Sequence, residues 1–360
     1  MLNWSLKMFF CYISEYFGEE IMKSRIAVVI PYRGDISHLV DAVNSVRASS
    51  FKEFRILVFD DNDRPHGDFD FLQDGEYFPT GGIGLPAVIE FSKNLISEDF
   101  VAILAGDDIM SSSRLQLQLK AIEKVGAEIC LSRMRKFSLS HEKIEMLSGS
   151  PDIETFTKVW LLLGAYGADG TILMTSDFYK KKYVLDPVDS HSDWALALAN
   201  YPKQIAYVAD ELVFYRQHEG QTTRKNRNDF LQSGVYPAWQ NTFKEIFGSS
   251  PTQDILLILG APWFRCSISP RSILKSRMYA AQILENFHNQ SFTRVDQDSA
   301  ELLILRRYLF RLNFKNLVPI LYVLSRLDIR QANTRMLRES LKVAKSIIFQ
   351  RDVKPRFVEA

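Results

Sequence analysis

The stretch Phe100-Val-Ala-Ile-Leu-Ala-Gly-Asp-Asp108 decides how this chain reads. Its apolar run ends at Ala105, turns at Gly106 and delivers two adjacent carboxylates, and Ser111-Ser-Ser113 then opens a helical pattern. Short strands that present polar groups at their carboxyl ends are how open α/β sheets build ligand sites. A second run, Phe54-Arg-Ile-Leu-Val-Phe59, ends the same way in Asp60-Asp61-Asn62-Asp63. Two strand ends tipped with paired acids predict one anionic crevice that requires a cation, and hence an enzyme. Two local readings stand beside this one: Asp107 and Asp108 as caps of the following helix, and Asp-Asp-Asn-Asp as ordinary turn chemistry.

Working outward, Ile26-Ala-Val-Val-Ile30 is the continuous apolar run of a strand buried on both faces, and Pro31 stops it. Asp35 is placed to cap a helix in which Ile36, Leu39, Val40, Val43 and Val46 recur at helical spacing. Residues 60 to 83, rich in Gly, Asp and Pro, read as a loop. Leu85 to Ile96 reads as a helix with Pro86 in its first turn. Strand 100–105, helix 113–125 and strand 127–131 complete a β-α-β-α-β-α-β alternation. That order predicts an α/β fold, a mostly parallel, Rossmann-like sheet flanked by helices.

Beyond residue 132 the pattern is less regular. Gly164 to Gly170 reads as a turn region and Thr171 to Met174 as a short strand. Ser190 or Ser192 can cap a helix with Asp193 in its first turn, anchored by Trp194, Leu196 and Leu198. Ile205–Val208 and Leu212–Tyr215 read as two strands, the second running into Arg216-Gln-His218 and a basic loop with Arg224, Lys225 and Arg227. From about 230 onward the pattern is mainly α-helical, with helices expected around 254–259, 274–287, 302–314 and 337–349.

The 360 residues are 46% hydrophobic with a formal charge of +1, enough for a sizeable core and without the basic excess of a nucleic-acid binder. Cys11, Cys130 and Cys266 are widely spaced and odd in number, so they suggest neither a disulfide framework nor a zinc site; a reducing cytoplasm is the setting they imply. No run reaches the length of a membrane helix. The aromatic-rich first residues are interrupted by Lys7, Glu15 and Glu19-Glu20 and lack a small-residue cleavage site, which makes a poor signal peptide. They are expected to be an extension ahead of Met22-Lys-Ser-Arg25.

At this point the residues resemble a family. Val29-Ile-Pro31-Tyr32, Asp60-Asp61-Asn62, Gly84-Leu-Pro-Ala87, Leu104-Ala-Gly-Asp107-Asp108, His191-Ser-Asp193-Trp194 and Tyr215-Arg216-Gln-His218, in this order, are similar to family 2 glycosyltransferases, inverting enzymes of the GT-A fold. The resemblance implies a catalytic domain over 25–228 and leaves the C-terminal third unexplained; the residue pattern itself predicts an extension over 1–24 and a helical C-terminal domain over 229–360. The resemblance also implies a hexosyltransferase taking a nucleotide-diphosphate sugar, with UDP favoured. Pro31, Tyr32, Arg33, Asp60, Asp61, Gly84 and Asp108 would form the nucleotide-sugar site, with Asp61 reading the base and Asp108 supporting the turn. Asp107 and His218 would hold Mn²⁺ or Mg²⁺, hard ions suited to a diphosphate. Asp193 would be the general base that deprotonates the acceptor hydroxyl, although an acid in the first turn of a helix is also favoured simply by the dipole.

The pattern departs from the family in four places. Ala105 stands where the first acid of an Asp-x-Asp usually touches ribose, Arg33-Gly34 replaces the usual Asn, and Glu90 replaces a usual Asn. Ser192 also replaces an acidic neighbour of the base. These departures leave room for a sugar-nucleotidyltransferase-like enzyme or a catalytically degenerate glycan-binding scaffold. Residues 301 to 360 hold 13 Lys/Arg against 5 Asp/Glu among apolar side chains. That fits either a solvated helical bundle, on this chain or on a second subunit of a homo-oligomer, or a basic surface on the inner face of a membrane. A glycan or lipid-linked glycan is the acceptor expected from the resemblance.

Overall fold

The computed structural model describes residues 24–65, 71–72, 75–140, 143–149, 169–183, 205–218, 235–260, 268–289, 301, 304–305, 308 and 317–326. The described strands are β1 (Ile26–Tyr32), β2 (Phe54–Asp60), β3 (Gly75–Pro79), β4 (Phe100–Ile103), β5 (Ile109–Met110), β6 (Ile129–Ser140), β7 (Lys143–Gly149), β8 (Leu173–Thr175) and β9 (Ala206–Arg216). They form one sheet in the order β3-β2-β1-β4-β8-β6-β9-β5, with β7 paired to β6. The helices are α1 (Ile36–Arg47), α2 (Leu85–Lys93), α3 (Arg114–Val125), α4 (Ser176–Lys182), α5 (Val235–Phe247), α6 (Gln253–Gly260), α7 (Pro270–Asn289) and α8 (Leu317–Arg326).

The pleat sends alternate side chains of β1 into two separate cores. Ile26, Val28 and Ile30 pack with Leu39, Val43 and Val46 of α1 and with Leu115, Leu119 and Ile122 of α3. Ala27 and Val29 face the other side, with Val88 and Ile89 of α2 and Phe178 and Tyr179 of α4. Burial on both faces is why β1 is apolar throughout. The second core continues into Trp239 and Phe243 of α5, Ile258 of α6 and Ile283 of α7, so the helical region packs into a core continuous with the sheet. Each such side chain contributes roughly 1.5–3 kcal/mol on leaving water.

The α/β sheet flanked by helices stands as read, and α1 is capped by Asp35, whose Oδ1 accepts from Ser37 N at 2.8 Å. Parallel pairing holds across β3-β2-β1-β4. Beyond β4 the directions mix, because β8 runs antiparallel to both β4 and β6, while β6 and β9 are parallel. β9 therefore runs the same way as β1, β2 and β4, and its last residues leave at the edge where those strands end.

Four local readings change. The expected loop over 60–83 contains β3, whose residues are all partly or fully exposed, as suits an edge strand rather than a long apolar run. The two expected strands at 205–208 and 212–215 are one, β9, with a register shift opposite Arg133 where Ala209-Asp-Glu211 interrupts the apolar pattern. Glu211 there pairs with Arg133 at 3.4 Å and Arg135 at 2.6 Å. α2 ends at Lys93 rather than Ile96, and β6 extends well past Leu131.

Residues 1–23, the Asp193 helix, the basic loop at 224–227, the helix read at 337–349 and most of that read at 302–314 lie outside the described residues.

Candidate active site

The strand ends converge as the acidic pattern requires. β1 reaches Pro31 and Tyr32, β2 reaches Asp60 and Asp61, and the chain after β4 reaches Asp107 and Asp108. Backbone bonds lace these ends together: Asp61 N donates to Tyr32 O at 2.8 Å and Gly106 N to Pro31 O at 3.0 Å. A Cβ on Gly106 would sit 2.8 Å from Tyr32 Cβ and 3.1 Å from its Cα, so glycine is required by this close approach.

Asp60 and Asp61 have different duties. Asp60 is fully buried and organises the turn: its Oδ1 accepts from Asn62 N at 3.0 Å and Nδ2 at 2.6 Å, and its Oδ2 accepts from Tyr77 at 2.9 Å. Burial and that carboxylate push the Tyr77 phenol well above its ordinary pKa. Asp61, only 5% exposed, spans the gap to α2, accepting from Thr80 Oγ1 at 3.0 Å and from Gly84 N at 2.9 Å. Gly84 has φ 90° and ψ 150°, a conformation reserved for glycine, and this turns its N–H toward Asp61.

Tyr32 is held within the fold. Its ring is buried beneath Gly106 and its hydroxyl donates to the Gly34 carbonyl. Burial, reinforced by Asp60, pushes its pKa up to about 12. Gly34 N donates to Asn62 Oδ1 at 3.1 Å, and Arg33 forms an exposed pair with Asp63 at 3.1 Å. Pro31 and Tyr32, the last residues of β1, and Arg33, just beyond it, thus lie against the Asp60–Asp63 turn.

Asp107 and Asp108 diverge more sharply. Neither caps α3, whose N-cap is Ser113. Asp108 is buried and its Oδ1 accepts from Arg216 N at 2.9 Å. Burial, with Asp107 beside it, raises its pKa well above the ordinary carboxylate range, opposed by that N–H and by the charges of Arg216 and Arg114. Asp107 faces outward: its Oδ2 lies 2.9 Å from His218 Nε2, with both side chains about a third exposed (31% and 30%). The separation in sequence is 111 residues, closed because β9 ends at the same edge as β4.

Several residues of this site escaped the sequence reading. Buried Arg216 donates from Nε to the Asp107 carbonyl at 2.8 Å and from Nη2 to Asp41 of α1 at 2.8 Å, and its guanidinium lies 4.9 Å from the Phe137 ring centroid. His38, one turn before Asp41, approaches His218 with ring centroids 5.1 Å apart. Burial, then the positive charge of Arg216, lowers its pKa. Behind the acids, fully buried Arg114 bonds Gln118 Oε1 at 3.0 Å and the carbonyls of Ile103 and Ile172 at 3.0 and 3.2 Å. Burial lowers Arg114 to about 10 even with Asp108 nearby. Polar residues at i and i+3 (His38, Asp41) on the helix after the first strand, and Arg-x-x-x-Gln at i and i+4, were the available signals.

The Asp107–His218 pair would fit two adjacent positions around a divalent cation, as a carboxylate oxygen and an imidazole nitrogen. Among the described residues no cluster of three or more His, Cys, Asp or Glu is arranged to hold a metal.

No protein-family model matches the chain, and no curated protein matches it. Among solved structures it is similar to S. aureus TarS 1-349, with 12% identity and TM-score 0.46, covering 89% of this chain and 90% of that one. The same TM-score and identity are found for TarS 1-349 in complex with UDP-GlcNAc, over 89% and 91% of the two chains, and in complex with UDP, over 92% and 94%.

Proposed function

We propose that the chain is an inverting, metal-dependent glycosyltransferase, a hexosyltransferase that takes a nucleotide-diphosphate sugar, UDP-linked by preference, and a glycan or lipid-linked glycan acceptor. The observation that carries this reading is the outward-facing Asp107–His218 pair, 2.9 Å apart, at the same sheet edge as Asp61. In it, Asp107 and His218 would hold Mn²⁺ or Mg²⁺. When bound, that ion neutralises the charge that develops on the leaving diphosphate.

The chain's own residues supply the rest. Asp61 accepts a hydrogen bond from the base and, through Thr80 and Gly84, keeps the β2 end registered to α2. Arg216 holds the Asp107 main chain in place, and Asp108, tied to Arg216 N, supports the turn. Asp193, which lies outside the described residues, is the base assigned from sequence. It takes the acceptor proton as the hydroxyl attacks the anomeric carbon opposite the diphosphate.

Calorimetric titration of UDP and of GDP, each with and without Mn²⁺, tests this reading. Mn²⁺-dependent binding is expected, tighter for UDP. Absence of binding to either nucleotide would favour a scaffold instead. Asp193→Asn is expected to abolish transfer while leaving donor affinity within about twofold, a difference below ~0.5 kcal/mol. Full turnover in that variant would remove Asp193 as the base.

A further inference from the structure

The helical region carries an exposed face that sugar transfer does not use. α7 buries Ile273, Ser276, Ala280 and Ile283 and leaves Leu274 and Met278 exposed one turn apart, Met278 by 52%. At helical spacing these two are flanked by exposed Arg271 and Lys275 on one side and exposed Arg277 on the other. α8, which packs against α7, buries Ile320 and Val323 and exposes Val318 by 75%, Leu321 by 55% and Tyr322. The Arg326 guanidinium lies 5.7 Å from the Tyr322 ring centroid.

We propose that the α7–α8 surface seats the protein on an anionic lipid membrane. Helices that lie in a membrane interface combine large apolar side chains with cations beside them, and both helices show that combination. Charge decides between lipid and a second copy of the chain. The two helices carry Arg271, Lys275, Arg277 and Arg326 against one acid, Glu285. A two-fold self-contact through this face would set those cations against their own copies, whereas anionic headgroups neutralise them. No helix among the described residues is long and apolar enough to cross a membrane, so this contact lies on the bilayer rather than through it. The inference is independent of the transfer reaction, and its failure would leave that reading untouched.

Flotation of the full chain with vesicles tests it, using phosphatidylcholine alone and phosphatidylcholine mixed with phosphatidylglycerol. The expected result is binding to the mixed vesicles only, released by high salt as screening requires. Reversing Arg271, Lys275 and Arg277 to Glu should weaken binding by at least roughly a hundredfold, at about fivefold per cation lost and more from the carboxylates that replace them. Met278→Gln with Leu321→Gln should weaken it without altering the melting curve. Val318→Asp, at the most exposed of these positions, serves if the triple reversal does not fold. Failure to bind mixed vesicles, or binding that all these variants retain, would overturn the proposal. So would a concentration-dependent dimer in sedimentation velocity that the same variants dissolve, which would identify a second copy as the occupant.

Discussion

Arg216 grips Asp107 by its main chain: Nε donates to the Asp107 carbonyl oxygen at 2.8 Å, and the Asp107 carboxylate turns to His218 instead. One buried cation thus fixes the loop without neutralising the group the loop presents. Its far end reaches Asp41 on α1, which ties the first helix to the last strand of the sheet.

Arg216→Met should therefore destabilise the fold by about 3 kcal/mol, because the Asp107 carbonyl and the buried Asp108 carboxylate lose the cation that balances them. Asp41→Asn removes only the half-exposed partner and should cost less than about 1 kcal/mol. Urea unfolding of the two variants measures the difference. Equal losses would mean that Arg216 acts mainly through Asp41.

Asp107→Asn and His218→Gln leave the buried framework intact and should change stability little. Each should weaken UDP binding in the presence of Mn²⁺ by at least about tenfold, ~1.4 kcal/mol, with no change in its absence. Chelation should reduce the parent protein to the level of the variants. Titration calorimetry with and without chelator reads this, and a loss of equal size in metal-free buffer would contradict a metal role for the pair.

Gly106→Ala places a methyl group against Tyr32 Cβ and Cα, where backbone cannot give way as a side-chain tip can. A cost of about 1–3 kcal/mol is expected, typical of overpacking. Because the strain falls between β1 and the Asp107 turn, nucleotide affinity should drop along with the melting temperature. A variant as stable as the parent would show that the strand ends part more easily than their hydrogen bonds suggest.

Cys130 is buried in the sheet, and burial raises its thiol to about 12. A raised thiol pKa keeps the group protonated below that value, so alkylation at pH 8 should spare Cys130 in the folded protein and modify it in denaturant. Peptide mapping after iodoacetamide treatment checks this. Rapid labelling under native conditions would indicate local opening of β6.

Much of the fold was legible because its signals are local. The apolar run of β1, the Asp35 cap and the acids at the ends of β2 and β4 depend on nearest neighbours and on the pleat, and each lies where the sequence placed it, except that β1 runs through Pro31 to Tyr32 instead of stopping at the proline. β3 was not legible: an edge strand half open to water lacks the apolar run that marks β1. β9 was split in reading because the polar Asp210-Glu211 sits in a register shift, where polarity is satisfied by Arg133 and Arg135 rather than by solvent.

Strand periodicity and turn residues act over a few positions, so the carboxylates at the strand ends were already visible in the order of residues. What each one does depends on long-range packing. Asp60 became a turn anchor, Asp61 a bridge to Gly84, Asp108 a buried acceptor and Asp107 the outward partner of His218. The reason is physical: those partners lie up to 111 residues away, and only the direction of β9, set by two antiparallel steps through β8 and β6, brings Arg216 and His218 to the edge where the acids wait.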